Sequence, residues 1–204
     1  MRYRIEFGQS ASNRLKAQKF RQKVFRGSEI GLDKDKFDEI SDHCLIYDKN
    51  CDDKLVLAFR SRRFSSMNEI LSSYSSQYYD LTNLTHLPFR PMEIGRLCVD
   101  KKASDPFLLL RAFKYLASLI SSGRMDWIFG CTSFIGVDNP IHLAALSSLE
   151  KSQLAGSKFP IKKKSANILD IKRIVNRDTH KTEKNFLPPL LKFYLTLGGK
   201  VSDH

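Results

Sequence analysis

The sequence predicts an α/β fold in which one mixed central sheet has helices on both faces. The main observation is that two segments with strand character, 92–100 and 126–134, lie on either side of a helical segment, 107–122. A strand, a crossover helix and a second strand form a βαβ unit, so these strands are expected to be parallel neighbours. A strand–turn–strand pattern at 43–47 and 54–60 predicts an antiparallel hairpin in the same sheet.

The N-terminal elements follow from alternation and capping. Alternating residues at 3–7 predict a first strand, and Ser10 or Ser12 can cap a helix that ends near Phe25. A further short strand is expected at 77–79. The apolar stripe of the first helix is expected to contain Leu15, Phe20 and Val24.

The C-terminal part of the chain predicts two more helices. A proline suits the first turn of a helix at 140–149. The last helix is predicted at 187–197, where Gly198 and Gly199 end it. A strand begins just after these glycines, so we expect the protein to continue beyond the last residue. Residues 1–204 are therefore predicted to form a single domain without its C-terminal strands.

The charge of the chain favours an anionic partner. Lysine and arginine number 34 against 22 acidic residues, which gives a formal net charge of +12. Such an excess favours nucleic acid, an anionic membrane surface or an acidic protein. The basic residues concentrate at 158–184, where a docking patch and a solvated face are both open. No nucleic-acid module accompanies them, so we expect no nucleic-acid partner.

Neither a secretory signal nor a membrane span is apparent in the sequence. No segment approaches the roughly 18 apolar residues of a spanning helix, and the N-terminus has no apolar signal region. We therefore expect a cytoplasmic protein. The four cysteines match no zinc spacing, and Cys44, Cys98 and Cys131 lie in apolar strands, where a thiol is a small hydrophobic group. We expect structural thiols and no metal site.

Glu93 is the first candidate for catalysis because apolar residues flank it in a predicted buried strand. Burying a polar group without a partner costs a few kcal/mol, so polar residues in such strands often serve a ligand. Glu93 could accept a proton from an attacking amine, or it could form a structural bridge with an arginine. Arg96 lies three residues further on, so the two side chains face opposite sides unless a bulge intervenes.

An acidic loop and a nearby arginine could bind a small charged substrate. Asp35, Asp38 and Asp42 precede a strand and could bind a cationic amino acid, or they could form a solvated loop. Arg60 lies at the end of a strand, where a guanidinium could hold a carboxylate. A surface charge is the alternative for this arginine.

The segment that follows the second strand of the βαβ unit is rich in small residues. Gly130 indicates close approach by a ligand or by a neighbouring backbone. Thr132 and Ser133 could donate hydrogen bonds to a thioester or amide, or cap the next helix. The loop at 101–106 has no glycine, but it precedes a helix N-terminus, where free amides favour a phosphate.

Several of these segments together resemble the ornithine-lipid N-acyltransferases, bacterial enzymes often labelled hemolysin-like that have a GNAT-like fold. Segments 21–25 and 37–46 resemble the opening of that family. Segment 92–99 resembles its E-x-G-R-x-x-V strand, and 129–136 its F-G-C-x-S-F-x-G strand and turn. Segment 187–199 resembles its P-P-L-L-K-x-Y-x-x-L-G element. The resemblance covers nearly the whole chain in the right order.

The resemblance implies that a 3-hydroxyacyl group passes from acyl carrier protein to the α-amino group of ornithine, which gives a lyso-ornithine lipid. The donor presents a phosphopantetheine arm, so no separate cofactor is expected. Acyl carrier protein is acidic, and a basic enzyme surface would steer it. The amphiphilic product implies peripheral contact with an anionic inner membrane. The acceptor could also be glutamine, lysine or another amino acid.

The residues that match imply the following roles. Glu93 would act as the base, Arg96 or strand amides would stabilise the oxyanion, and Ser133 would complete the catalytic set. Asp38 and Asp42 would hold the ammonium groups of the acceptor, and Arg60 its carboxylate. The remaining expected contacts with substrate are Arg21, Phe25, Thr132 and Phe134.

Two alternatives stay open. The acyl-homoserine-lactone synthases share the fold, and the residues that match them are Arg21, Val24, Phe25, Asp35, Asp38, Glu93 and Arg96. Against that family stand the turn at 130–134, the Pro188-Pro189 element and the lack of an early tryptophan, since Trp127 is the only one. The other alternative is a non-catalytic basic protein that binds membrane or nucleic acid.

Overall fold

The chain folds into two compact units. The computed structural model describes residues 2–103, 105, 107–122, 125–134, 139–149, 151–165, 170–171 and 187–202. The first unit comprises Met1–Met67 and Pro88–Gly130, and the second Asn68–Leu87 and Cys131–His204. The single domain and the further strands expected from the sequence stay predictions.

The first unit contains a five-stranded mixed sheet. Its elements are β1 (Tyr3–Gly8), α1 (Ala11–Arg26), β2 (Asp42–Asp48), β3 (Lys54–Arg63), β5 (Pro91–Val99), α2 (Leu108–Ser121) and β6 (Trp127–Phe129). The strand order is β1-β2-β3-β5-β6. The first four strands in this order pair antiparallel, and β6 runs parallel to β5. The hairpin and the parallel βαβ pair are both confirmed.

Helices α1 and α2 pack on opposite faces of this sheet. On the α1 face, Ala17 and Phe20 pack against Leu45, Ala58 and Cys98. Strand alternation turns the intervening residues to the other face, where the α2 side chains form a second core. That core contains Leu108, Ala112, Leu116, Cys44, Ile46, Leu57, Phe59, Met92 and Ile94. The expected helices on both faces are confirmed.

Helix α1 begins and ends as its sequence predicts, but its buried face differs. The Ser10 hydroxyl accepts the Asn13 amide at 3.1 Å, and Gly27 ends the helix with φ 66°. Leu15 was expected in the apolar stripe, but it is exposed. Gln18 and Arg21 are buried instead, because carboxylates from the following loop satisfy them. The predicted stripe was therefore partly wrong.

The second unit contains short strands and two helices among its described residues. Its regular elements are β4 (Tyr79–Asp80), α3 (Asn139–Ser147), β7 (Lys162–Lys163) and α4 (Pro189–Thr196). Strands β4 and β7 pair antiparallel, so the predicted strand at 77–79 is displaced towards Asp80. Gly198 has φ 84°, and the Gly199 amide donates to the Tyr194 carbonyl at 2.9 Å, which ends α4 as predicted.

The core of the second unit lies between its helices. Ala145, Leu146 and Leu149 pack with Leu187 and Leu191. Much of the basic segment predicted at 158–184 lies outside the described residues, namely Lys172, Arg173, Arg177, Lys181 and Lys184. Its described part includes Lys162, Lys163 and Lys164, of which the first two form β7.

Candidate active site

A β-bulge in β5 brings Arg96 to the same face of the sheet as Glu93. Ala58 pairs with Cys98 and Arg60 with Gly95, so two steps along β3 match three steps along β5. Arg96 has φ 53°, in the left-handed region that a non-glycine residue rarely adopts. The extra residue changes the alternation of side chains along the strand. The condition under which Glu93 and Arg96 share a face is thus met.

Glu93 lies at the point where the pairing of β5 with β6 stops. It is buried, with 7% of its surface exposed, and it stands opposite Arg62 on β3 and Phe129 on β6. The Phe129 ring stacks on Trp127, with centroids 4.8 Å apart. The apolar surroundings that the sequence predicted for Glu93 are present.

The chain leaves the sheet directly after this point. A Cβ atom on Gly130 would lie 2.1 Å from the carbonyl oxygen of Ile94, a distance that only glycine avoids. The close approach predicted for Gly130 is therefore to a neighbouring backbone. The strand predicted at 126–134 was too long, because β6 ends at Phe129.

The rest of β5 is one-sided. Among the described residues of the first unit, β6 pairs only with Pro91–Glu93, and no strand lies against the outer edge of 94–99. We call this edge the β5 outer edge. Backbone amides and carbonyls that point away from β3 there have no ladder to enter, so they suit hydrogen bonds to an extended ligand.

Three arginines and three aspartates form a closed ring of ion pairs on the α1 face. Arg21 bridges Asp33 at 3.2 Å and Asp38 at 2.7 Å. The other two arginines complete the circuit through Asp35. Arg60 bridges Asp38 at 2.8 Å and also Asp35, and Arg96 bridges Asp35 at 3.1 Å and Asp33 at 3.5 Å. The ring ties the acidic loop to α1, β3 and the bulge of β5.

The ring explains why Asp38 stays ionised although it is buried. Burial alone would raise its pKa, but hydrogen bonds from Arg21, Gln18 and Arg60 hold the pKa well below its usual range. Burial opposes ionisation of Asp35 too, and Arg60 and Arg96 lower its pKa. The Asp38 side chain has no exposed surface, so direct contact with a substrate ammonium would require the ring to open. The predicted substrate contacts of Asp38, Arg60 and Arg21 stay predictions.

Asp42 lies apart from the ring. Alternation along β2 places it on the face of Cys44 and Ile46, and its carboxylate is 3.6 Å from Arg63. Burial raises the pKa of Asp42, and Arg63 only partly opposes that shift. The structure therefore does not bring Asp42 and Asp38 together as a pair, and the predicted contact of Asp42 with substrate also remains a prediction.

The other predicted site residues have simpler surroundings. Phe25 is exposed on the last turn of α1. In the second unit, Ser133 is exposed and Thr132 is half-buried. Phe134 packs against that unit's core, and its ring centroid lies 5.1 Å from that of His142. Roles for these residues in catalysis or binding stay predictions.

Sequence reasoning missed three contributors to this face of the sheet. Asp33 and Gln18 belong to the ring, and only an acidic loop near a buried helix position could have indicated them. His43 is fully buried, its Nε2 lies 2.9 Å from the Asp38 carbonyl, and burial lowers its pKa. Its Nδ1 has no hydrogen-bond partner among the described residues.

No metal site accompanies this arrangement in the described part of the chain. There, no three histidine, cysteine, aspartate or glutamate side chains come together in a way that could hold a metal ion.

Comparisons with known proteins agree with this geometry. Residues 15–110 match the family described as the acetyltransferase (GNAT) domain. The whole chain is 30% identical to an L-ornithine N(alpha)-acyltransferase of Agrobacterium fabrum, and it covers 71% of that protein. The chain belongs to this acyltransferase family. A relative of the same name from Rhodobacter capsulatus is 28% identical over 98% of this chain and 83% of its own length.

Family membership confirms the predicted GNAT-like fold and the prediction of an acyltransferase. Among solved structures, the acyl-homoserine-lactone synthase LasI is 15% identical, with a TM-score of 0.46, over 70% of this chain and 78% of that chain. This likeness is too distant to bear on the reaction.

Proposed function

We propose that this acyltransferase moves a 3-hydroxyacyl group from acyl carrier protein to the α-amino group of ornithine, which gives a lyso-ornithine lipid. The single observation that carries the proposal is the end of β5–β6 pairing at buried Glu93, followed by the bulge at Arg96. The relatives named L-ornithine N(alpha)-acyltransferase support the acceptor.

The donor arm lies along the β5 outer edge in this proposal. A phosphopantetheine arm contains amide groups, so it can pair with a strand edge as an extended peptide does. The one-sided half of β5 offers such an edge, and Glu93 stands at the end where the thioester would arrive. The arm itself comes with the carrier protein, so no further cofactor is needed.

The reaction follows from these positions. Glu93 accepts a proton from the acceptor ammonium group, directly or through water, and the free amine attacks the thioester carbonyl. A tetrahedral oxyanion forms, and backbone amides of the bulge stabilise it. When it collapses, the carbon–sulfur bond breaks and the thiol of the carrier arm leaves with a proton. Arg96 adds positive charge near the bulge while the ring holds it in place.

The location of the protein belongs to the same proposal. None of the described helices has the length and apolar character needed to cross a membrane. We propose that the enzyme works in the cytoplasm and touches the anionic inner membrane peripherally, where its amphiphilic product would partition.

A reconstituted reaction tests the function. The purified chain is incubated with 3-hydroxyacyl carrier protein and ornithine, and the products are separated and identified by mass spectrometry. Parallel reactions contain lysine or glutamine in place of ornithine. The expected product is N-acyl ornithine, formed without DNA or vesicles.

The same experiment separates the alternatives. A further reaction contains S-adenosylmethionine in place of ornithine. An acyl lactone in that reaction, without N-acyl ornithine in the first, would identify a lactone synthase. No transfer under any of these conditions would refute the proposed activity.

A further inference from the structure

We propose that the carrier protein docks on the exposed surface at the beginning of α2. This surface, the α2 N-terminal surface, consists of Lys101, Lys102, Phe107, Leu110 and Lys114. The inference rests on the proposed function, since it assumes a donor that is borne by an acidic protein. It adds where that protein binds.

The α2 N-terminal surface is positively charged. Lys101, Lys102 and Lys114 are exposed. The nearest carboxylates are largely buried and already engaged: Asp100 pairs with Lys54 at 2.6 Å, and Asp105 accepts the Tyr3 hydroxyl at 2.5 Å. Cations therefore dominate the exposed charge here, which complements an acidic partner and speeds its association.

Two apolar side chains lie among these lysines. Phe107 is 60% exposed and Leu110 is 48% exposed, and they lie three residues apart, so they share one side of the helix. The opposite side of α2 buries Leu108, Ala112 and Leu116 in the core of the first unit. Core packing thus does not account for Phe107 and Leu110. An apolar centre with a charged rim is the usual anatomy of a protein–protein interface.

The position of the surface matches the reach of a donor arm. Strand β5 runs from Glu93 towards Val99, and Lys101 and Lys102 follow it directly. At about 3.3 Å per residue, the six residues from Glu93 to Val99 span roughly 20 Å. A protein docked at Lys101 could therefore extend its arm along the β5 outer edge to Glu93.

The beginning of α2 is poorly suited to a free nucleotide. Asp105 accepts the backbone amide of Phe107 at 2.8 Å, so a carboxylate of the chain itself occupies the helix N-terminus. The sequence had left this terminus open to a phosphate. With a negative charge already in place, a nucleotide diphosphate would be repelled, whereas a protein can contact the surrounding lysines instead.

An anionic bilayer is the other partner with suitable charge. The exposed apolar part of the surface amounts to two side chains, which is little for insertion into lipid, and its place at the end of β5 serves a thioester donor. We therefore assign the surface to the carrier protein, and the test below distinguishes it from the membrane.

The test compares two matched double variants. Leu110→Asp with Lys114→Glu disrupts the α2 N-terminal surface. Leu15→Asp with Lys19→Glu makes the same changes, with the same spacing, on the exposed side of α1. A second docking variant, Lys101→Glu with Lys102→Glu, leaves α2 unchanged. Thermal melts establish that all three variants are folded.

Each variant is assayed with 3-hydroxyacyl carrier protein and with the N-acetylcysteamine thioester of the same acid. The docking variants are expected to raise KM for the carrier protein at least about tenfold. Their kinetics with the small thioester should not change. The α1 variant should match the wild type with both donors.

Binding of carrier protein that bears a non-reactive arm is measured in parallel by calorimetry. Loss of this binding in the docking variants supports the proposal, even if the wild type transfers no acyl group to ornithine. Unchanged KM and binding in an active enzyme would overturn the docking site alone. Unchanged KM together with lost flotation on anionic vesicles would assign the surface to the membrane and also overturn it.

Discussion

The two halves of β5 differ in what surrounds them, and the difference locates the chemistry. Residues 91–93 pair with β3 on one side and β6 on the other. Residues 94–99 pair with β3 alone, through a bulge that holds Arg96 at φ 53°. An ordinary sheet would continue its ladder, because buried backbone groups need partners. Here Gly130 ends the ladder directly after Glu93, and the ion-pair ring supports the strand beyond it.

The largest expected effect lies at the boundary between these halves. Glu93→Gln keeps the shape of the side chain but removes the base, so kcat should fall by roughly 10²–10⁴ with little change in KM for ornithine. Steady-state kinetics with 3-hydroxyacyl carrier protein measure this. Glu29→Gln, on a highly exposed carboxylate, should leave both constants unchanged. Full turnover in the Glu93 variant would remove the base from the account.

The next effect concerns the ring that supports the one-sided half. Arg21→Met leaves the buried carboxylate of Asp38 without one of its partners and should reduce the free energy of unfolding by about 3–5 kcal/mol. Lys23→Met, two residues away on the same helix, removes an exposed ion pair and should have no measurable effect. Urea denaturation compares the two. Equal stability of both variants would mean that the ring does not support the fold.

A third comparison sets two glycines on either side of the boundary. Gly130→Ala places a methyl group against the Ile94 carbonyl and should lower stability by about 1–3 kcal/mol. Gly95→Ala meets no atom within 4 Å and should be neutral or slightly stabilising. Thermal melts of both variants provide the measurement. A tolerated alanine at 130 would show that the strands part for another reason.

The smallest expected effect is a pH dependence. Burial lowers the pKa of His43, so the unfolded chain binds that proton more readily. Stability should be complete above the ordinary imidazole pKa of about 6.5 and should fall as the pH drops below it. The lowered pKa values of Asp35 and Asp38 work in the same direction, but only below the ordinary carboxyl pKa of about 4.

His43→Gln should therefore flatten the dependence of the melting temperature on pH between about 5 and 7. His86→Gln, on an exposed histidine, should keep the wild-type slope. A slope that both variants share would trace the dependence to other groups.

Local patterns predicted most of the first unit. Ser10 and Gly27 bound α1 as capping rules require, and alternation located the hairpin of β2 and β3. The bulge could be predicted only as a condition, because Glu93 and Arg96 share a face through a register shift that no local pattern encodes. The end of β6 depends on Gly130 meeting a distant strand, so the sequence predicted that strand to be too long.

The ring shows why the candidate site was harder to predict. Arg21 has the helical position of a solvent-facing charge, yet it is buried because Asp33 and Asp38 return to it from the following loop. Leu15, which a helical stripe would bury, is exposed for the same reason. Long-range ion pairs override helical periodicity, and their partners become visible only after the chain has folded.

The most direct test of the central claim is amide hydrogen exchange in the presence of a non-reactive 3-hydroxyacyl phosphopantetheine analogue. If the β5 outer edge holds the donor arm, amides within residues 94–99 should exchange more slowly when the analogue is bound, and amides of the β1–β2 pair should not change. Saturation with the analogue without any slowing at 94–99 would contradict the account.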